Sequence, residues 1–276
     1  GLFQKVTYYS DSDNLTDIGA DPQSTQSRTV TWSVTDANDD GAGAETNSVT
    51  TTINITEDND QPVITLAGTP ELDYQENESA AIIDGAITIE DVDDINMSAA
   101  TVTLTAGGFT DSTGDNFTTK DLGDDGDVLG IDSSYSATGF TLNDNTSMNN
   151  TWTLTDDNDG HAVVLTITRT DSVGDGSGDK QLAFSGTATK AVYQGLFQKV
   201  TYYSDSDNLT DINTNSTLSR EVTWSVTDAN DDDAGAETSS VTTTINITED
   251  NDQPVITLAG TPELDYQEND SAAIID

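Results

Sequence analysis

Residues 29–36 read TVTWSVTD, and nearly the same octapeptide, EVTWSVTD, stands at 221–228. In an extended chain, Val30, Trp32 and Val34 fall on one face and polar residues fall on the other. This alternation is typical of a strand with one buried and one solvated side. Comparable short runs rich in Thr, Val and Ile are separated by Asp, Asn and Gly turns. Together they predict an all-β protein made of β-sandwiches.

Long segments of the sequence occur twice in the chain. Residues 1–18 return unchanged at 195–212, and residues 28–84 return at 220–276 with four differences. This self-similarity predicts a tandem repeat with a unit of about 192 residues. In a repeat array each added copy adds length, which suits a stalk or a filament better than an enzyme. A simple duplication of one domain is the alternative interpretation.

The repeat divides the chain into three predicted parts. Residues 1–61 are the C-terminal part of one repeat, 62–253 are one complete repeat, and 254–276 begin the next. Within the complete repeat, TWTLTDDNDG at 151–160 resembles TWSVTDANDD at 31–40. The unit is therefore either one enlarged sandwich or two sandwiches with a boundary near residue 173. A single short helix is predicted in this unit, over the segment TKAVYQGLFQ.

The charge of the chain constrains its partners. The 276 residues include 51 acidic and 8 basic side chains, for a formal net charge of −43. Self-repulsion of this size opposes a compact state, so a bound divalent cation would stabilise the fold. A surface adapted to high salt is the alternative explanation. Nucleic acid is excluded as a partner because its phosphates would be repelled.

The sequence argues against several further kinds of site and function. The sequence has no cysteine, which rules out disulfides and thiolate metal sites. No apolar run reaches the roughly 20 residues that a membrane-spanning helix needs. No serine, lysine or histidine stands in a recognisable nucleophile setting, so we expect a protein that is not an enzyme.

An acidic linker carries the clearest chemical signal. The heptapeptide TEDNDQP occurs at 56–62 and again at 248–254, in each case between two alternating strands. Calcium takes six to eight oxygen ligands, which carboxylates, amides and backbone carbonyls supply together. A solvated hinge is the alternative interpretation. The residues that predict a Ca²⁺ site in the first linker are Glu57, Asp58, Asn59 and Asp60.

The hexapeptide EDNDQP at 57–62 resembles the linker between cadherin repeats. The similarity is closer to the cadherin-like repeats of giant bacterial surface adhesins, because YQENESAAIID at 74–84 and ITIEDVDD at 87–94 resemble their acidic segments. The resemblance implies Ig-like β-sandwich modules in tandem, stiffened by linker calcium. Besides the first linker, it implies as ligands Glu76, Asp91, Asp93, Glu249, Asp250, Asn251, Asp252 and Glu268.

A second acidic motif opens at Asp36 with the sequence DANDDG, which fits the first half of an EF-hand loop. The fit ends there, because Asn47 occupies the twelfth position and the copy of Gly41 is Asp233. We therefore predict a hairpin tip in which Asp36 and Asn38 are calcium ligands or merely solvated residues.

These observations predict a structural extension module of a repetitive cell-surface adhesin or appendage. Its location would be extracellular, and its partners would be neighbouring copies of the same repeat. One alternative is a subunit of a homopolymeric extracellular filament or sheath, in which copies also associate laterally. A second alternative is a carbohydrate-binding module, for which Tyr8, Tyr9 and Trp32 would supply the aromatic platform.

Overall fold

The structure is a computed structural model. It describes residues 2–15, 27–56, 58–67, 71–106, 127–145, 150–171, 180–204, 219–231, 235–251, 253–257 and 266–272. Within these ranges the chain forms mostly β-strands and one short α-helix, which confirms the prediction of an all-β protein. No described helix has both the length and the apolar character needed to cross a membrane.

The elements follow one another in chain order, beginning with a 3-10 turn at Leu2–Lys5. The first strands are β1 (Ser27–Thr35), β2 (Thr46–Asn54), β3 (Val63–Thr65), β4 (Glu71–Gln75), β5 (Ala81–Ile82), β6 (Thr88–Glu90), β7 (Asn96–Ala106) and β8 (Asp127–Ile131). They are followed by β9 (Phe140–Asp144), β10 (Thr151–Asp156), β11 (Ala162–Asp171), β12 (Lys180–Thr189), helix α1 (Lys190–Phe197), β13 (Val200–Ser204), β14 (Ser219–Asp228) and β15 (Thr238–Thr248).

One large sheet organises the molecule. Its eight strands run in the order β4-β15-β14-β7-β12-β11-β10-β9. Only the β15–β4 pair is parallel; the other neighbours in this sheet are antiparallel. A three-stranded sheet, β5-β13-β8, and the pair β3-β6 complete the body, a name that we use for β3 to β15.

The core of the body lies between the large sheet and the three-stranded sheet, in a sandwich-like arrangement. Alternation in β14 buries Val222, Trp224 and Val226 completely. The Trp224 ring meets Phe197 of α1 at a centroid distance of 5.3 Å. Burying large aromatic side chains in this way is the main favourable contribution to the fold.

Helix α1 lies where the sequence predicts a helix, and it packs on the core through Val192, Tyr193, Leu196 and Phe197. The Tyr193 hydroxyl donates a 2.6 Å hydrogen bond to the carbonyl oxygen of Gly186. Gly186 has φ +135°, and a Cβ there would lie 2.2 Å from the Val164 carbonyl oxygen. The close approach of β12 to β11 therefore requires glycine at this position.

A buried ion pair ties the two layers of the body together. The Arg220 Nε of β14 lies 2.5 Å from Asp127 Oδ2 of β8, and both residues are almost fully buried. The Tyr202 hydroxyl of β13 donates a 2.6 Å hydrogen bond to the other oxygen of Asp127. Because both oxygens of the Asp127 carboxylate accept hydrogen bonds, its charge can remain buried in the core.

The boundary predicted near residue 173 lies outside the described residues. A boundary near residue 173 would fall between β11 and β12, which are adjacent antiparallel strands of the large sheet. At the same time β4 pairs with β15, so the beginning and end of the segment 62–253 meet in one sheet. Hairpin β1–β2 forms a separate two-stranded sheet that precedes the body.

Candidate metal centre

Three aspartates follow β6 in a tight turn. The backbone amides of Asp93 and Asp94 donate hydrogen bonds to Asp91 Oδ1 at 3.2 Å and 2.8 Å, which holds the turn closed. The carboxylates of the three residues lie within 4.8 Å of one another. Asp93 and Asp94 are buried, and Asp91 is half-buried. Three like charges at this spacing repel one another unless a cation lies between them.

The first linker reaches into this turn. The backbone amide of Asp60 donates a 2.9 Å hydrogen bond to Asp93 Oδ2. The side-chain amide of Asn59 donates a 3.2 Å hydrogen bond to Asp228 Oδ2, at the end of β14. The linker is therefore held against the body by the same acidic groups that surround the turn.

The tip of hairpin β14–β15 supplies the third side of the centre. Asp228 is fully buried, and its Oδ2 also accepts a 2.9 Å hydrogen bond from the Glu237 amide. The backbone amide of Asp231 donates a short hydrogen bond to Asp94 Oδ1. Asp231 Oδ2 in turn accepts a 2.9 Å hydrogen bond from the amide of Asn96 at the start of β7.

We call this assembly the carboxylate centre; its members are Asn59, Asp60, Asp91, Asp93, Asp94, Asp228 and Asp231. Three of its buried oxygens, Asn59 Oδ1, Asp91 Oδ2 and Asp93 Oδ1, accept no hydrogen bond from the described residues. A buried polar atom without a partner costs roughly 1–3 kcal/mol, and more when it is charged. A cation in contact with these atoms would remove that cost.

The chemistry of the donors suits a hard cation. Carboxylate and amide oxygens are the ligands of Ca²⁺, whereas zinc and copper sites use imidazole or thiolate groups. Lys190 lies nearby, but its Nζ donates a 2.5 Å hydrogen bond to the Asp91 backbone carbonyl and not to a carboxylate. The donors of the centre are therefore of the kind that holds a hard cation.

Burial and the neighbouring carboxylates raise the pKa values of two aspartates of the centre. Burial raises the pKa of Asp91 from 3.8 to about 7, and the neighbouring Asp93 adds to the increase. Partial desolvation raises the pKa of Asp60 as well, followed by repulsion from the carboxylates of Asp93, Asp13 and Asp58. In the absence of a metal, the native state therefore retains a proton near Asp91 at a pH where an isolated carboxyl has lost it.

The second linker makes its contact at the other end of the body. Glu76, which follows β4 and is buried, accepts a 2.7 Å hydrogen bond at Oε2 from the Asp250 amide. The Glu76 amide donates to the carbonyl oxygen of Thr248 at the end of β15. Because β15 runs antiparallel to β14, this end is opposite to the Asp228 tip.

The predicted ligands therefore separate into groups. The structure brings Asn59, Asp60, Asp91 and Asp93 together, and it places Glu76 with Asp250 at the opposite end of the body. Glu57 and Asp252 lie outside the described residues. Of the other predicted ligands, Asp58 contributes charge repulsion to Asp60 of the centre, and Asn251 lies in the second linker, where its amide donates a 3.0 Å hydrogen bond to Asp250 Oδ1. Glu249 is half-buried at the start of the same linker, and Glu268 is exposed.

Asp36 and Asn38, which the sequence predicts as calcium ligands at a hairpin tip, are exposed. Asp36 Oδ1 accepts hydrogen bonds from the amides of Asn38 and Glu45, at 3.1 Å and 3.3 Å, and so closes the β1–β2 turn. Asn38 Oδ1 accepts a 2.6 Å hydrogen bond from Gly43. These side chains stabilise a turn, and the structure groups no further acidic side chain with them in a metal-like cluster within its described residues.

Three members of the centre are absent from the predicted ligands, namely Asp94, Asp228 and Asp231. Two of them could have been proposed from the repeat, because Asp228 and Asp231 are the copies of Asp36 and Asp39 in the predicted hairpin tip. The second copy of the hairpin tip meets the first linker through Asp228, whereas the described side-chain hydrogen bonds of Asp36 and Asn38 lie within their own turn. Sequence identity alone gives no indication of which copy has a neighbour.

No protein-family model and no curated protein matches this chain. The resemblance to cadherin-like repeats therefore stays a prediction from the linker sequence.

Proposed function

We propose that this chain is a structural extension module of a repetitive extracellular protein, in which calcium at the carboxylate centre fixes the linker to the body. The observation that carries this proposal is the set of three buried, partnerless oxygens contributed by Asn59, Asp91 and Asp93. Asn59 belongs to the linker and the two aspartates belong to the body, so one cation bound to all three would join them. A linker held in this way cannot act as a free hinge.

The two linkers support the proposal together. Both read EDNDQP, at 57–62 and at 249–254. The first contacts the body that follows it, through Asp60 and Asp93, and the second contacts the body that precedes it, through Asp250 and Glu76. If both sets of contacts apply to every linker, each linker lies between two modules. It then contacts the equivalent of Glu76 in the module before it and the equivalent of Asp93 in the module after it. This arrangement accords with the resemblance to cadherin-like repeats.

Calorimetric titration of the metal-free chain with CaCl₂ tests the proposal. We expect the wild-type chain to bind calcium and Asp93→Asn to lose the tightest site. Asp228→Asn should weaken this site about 10–100-fold, because Asp228 orients Asn59. Asp36→Asn is the matched control, since it changes the same motif at a hairpin tip where the described hydrogen bonds of Asp36 Oδ1 lie within its own turn.

Two outcomes would count against the proposal. One is a wild-type chain that takes up no calcium at millimolar concentration. The other is equal weakening by Asp36→Asn and Asp228→Asn, which would mean that the motif acts locally in both hairpins. Titration with MgCl₂ distinguishes a calcium site from a general response to divalent charge, because magnesium dehydrates reluctantly and demands octahedral geometry.

A further inference from the structure

A short loop before hairpin β1–β2 contacts the aspartate turn, a name that we use for residues 91–94. The loop comprises residues 10–15, which read SDSDNL, and we call it the anchor loop. The side-chain amide of Asn14 donates a 3.0 Å hydrogen bond to the backbone carbonyl oxygen of Val92, inside the turn. This contact joins two parts of the chain that are 78 residues apart, and it uses none of the carboxylates of the turn.

Hydrogen bonds within the anchor loop hold Asn14 in place. Ser12 Oγ donates a 2.8 Å hydrogen bond to the Asn14 carbonyl oxygen and accepts a 3.3 Å hydrogen bond from the Asn14 amide. Such local bonds from a serine side chain stabilise a loop conformation. Arg28 of β1 donates a 2.6 Å hydrogen bond from Nη2 to the carbonyl oxygen of Leu15. The anchor loop is therefore attached to β1 as well as to the aspartate turn.

Hairpin β1–β2 is thereby connected to the aspartate turn by two routes. The linker that follows β2 reaches Asp93 through the Asp60 amide, and the anchor loop reaches Val92 from the side of β1. A linker alone leaves the hairpin free to twist about it, whereas a second connection opposes that rotation. Because the linker already holds the loop beside the turn, the effective concentration is high and a weak contact is enough.

The body shows where the second copy of the anchor loop begins. The same hexapeptide stands at 204–209, and its first residue, Ser204, ends β13. The Ser204 amide donates a 3.2 Å hydrogen bond to the hydroxyl oxygen of Tyr74. Tyr74 lies two residues before Glu76, which accepts a hydrogen bond from Asp250 of the second linker. The second anchor loop therefore starts at the end of the body from which the second linker leaves; residues 205–209 lie outside the described residues.

We infer that the anchor loop of each module docks on the aspartate turn of the next copy of the repeat and fixes the rotation between the two. The partner is a second copy of the module in tandem, and Asn14 recognises it through the Val92 carbonyl oxygen. The inference rests on the proposed function, because it takes hairpin β1–β2 and the body as consecutive modules of one array. It goes beyond that function, because an amide–carbonyl hydrogen bond needs no metal ligand.

The charge of the anchor loop couples its docking to the carboxylate centre. Besides desolvation and the carboxylate of Asp93, the charge of Asp13 raises the pKa of Asp60. The loop therefore lies close enough to the centre for like charges to oppose the contact. A cation in the centre would reduce this repulsion, so calcium would strengthen the docking without contacting Asn14.

Pulsed dipolar spectroscopy of the full chain tests the inference, since the sequence has no native cysteine to compete for spin labels. Labels at Thr50→Cys in hairpin β1–β2 and Val163→Cys in the body occupy exposed positions. In CaCl₂ we expect one narrow distance distribution, which Asn14→Ala should lose. Ser12→Ala should broaden the distribution too, because it removes the bonds that hold Asn14. Asn47→Ala is the matched control, since it changes an exposed asparagine of the same hairpin, and it should leave the distribution unchanged.

Calorimetric titration with CaCl₂ separates this inference from the proposed function. Asn14→Ala should bind calcium as tightly as the wild-type chain, whereas Asp93→Asn should lose the tightest site. If the wild-type chain binds no calcium, the proposed function fails, and the distance distributions of Asn14→Ala and the wild-type chain in chelator then decide the inference. The inference is overturned if Asn14→Ala and the wild-type chain give distributions of the same width, or if Asn47→Ala broadens the distribution as much as Asn14→Ala does.

Discussion

At the scale of single residues, the carboxylate centre contains side chains whose ionised form is destabilised by burial when no metal is bound. Asp91 is the clearest case, because burial raises its pKa from 3.8 to about 7. The native state therefore binds a proton more tightly than the unfolded chain does. Unfolding releases that proton, so the free energy of unfolding of the metal-free chain falls as the pH rises from about 4 to about 7.

This dependence can be measured by urea unfolding in chelator across the same pH range. The net charge of −43 adds a slope of the same sign, so the informative quantity is the difference between the wild-type chain and Asp91→Asn. We expect the variant to have the shallower slope. At saturating calcium, the wild-type chain should lose the extra slope that it shows over Asp91→Asn, because calcium binds the ionised carboxylate of Asp91. Equal slopes for the two chains in chelator would contradict the assignment.

At the scale of elements, one sequence occupies two environments, which allows a matched test of packing. Trp224 is completely buried against Phe197, whereas its copy Trp32 is half-buried and donates a hydrogen bond to Thr51 within the hairpin. Trp224→Ala should lower the free energy of unfolding of the body by about 3–5 kcal/mol. Trp32→Ala should lower it by less than about 1 kcal/mol.

Circular dichroism of the monomeric chain in urea measures both effects. The comparison removes the influence of local sequence, since both tryptophans stand in VTWSVTDAND. A loss of equal size from the two substitutions would show that the first hairpin shares the core of the body.

The elements also show what can be predicted from this sequence. Alternation identifies β14 and the helix period identifies α1, because both patterns are local. The order of the large sheet is not local: β4 joins β15 across the whole body, and β7 lies between β14 and β12. Glu76 illustrates the consequence, since its place beside Asp250 follows from that long-range pairing and not from its distance along the chain.

At the scale of the whole molecule, the calcium that we propose at the carboxylate centre would have two effects on the stability and shape of the chain. It would offset part of a formal charge of −43, and it would join a linker to the body at a point where buried oxygens have no partner. A module fixed in this way transmits its orientation to the next one, which is what an extended stalk requires.

The most direct test is small-angle X-ray scattering of the dilute full-length chain in calcium and in chelator. We expect calcium to increase the maximum dimension of the wild-type chain and to narrow the range of distances between hairpin β1–β2 and the body. Asp93→Asn should give the chelator curve in both buffers, and Asp36→Asn should behave as the wild-type chain does. Identical wild-type curves with and without calcium would contradict the central claim.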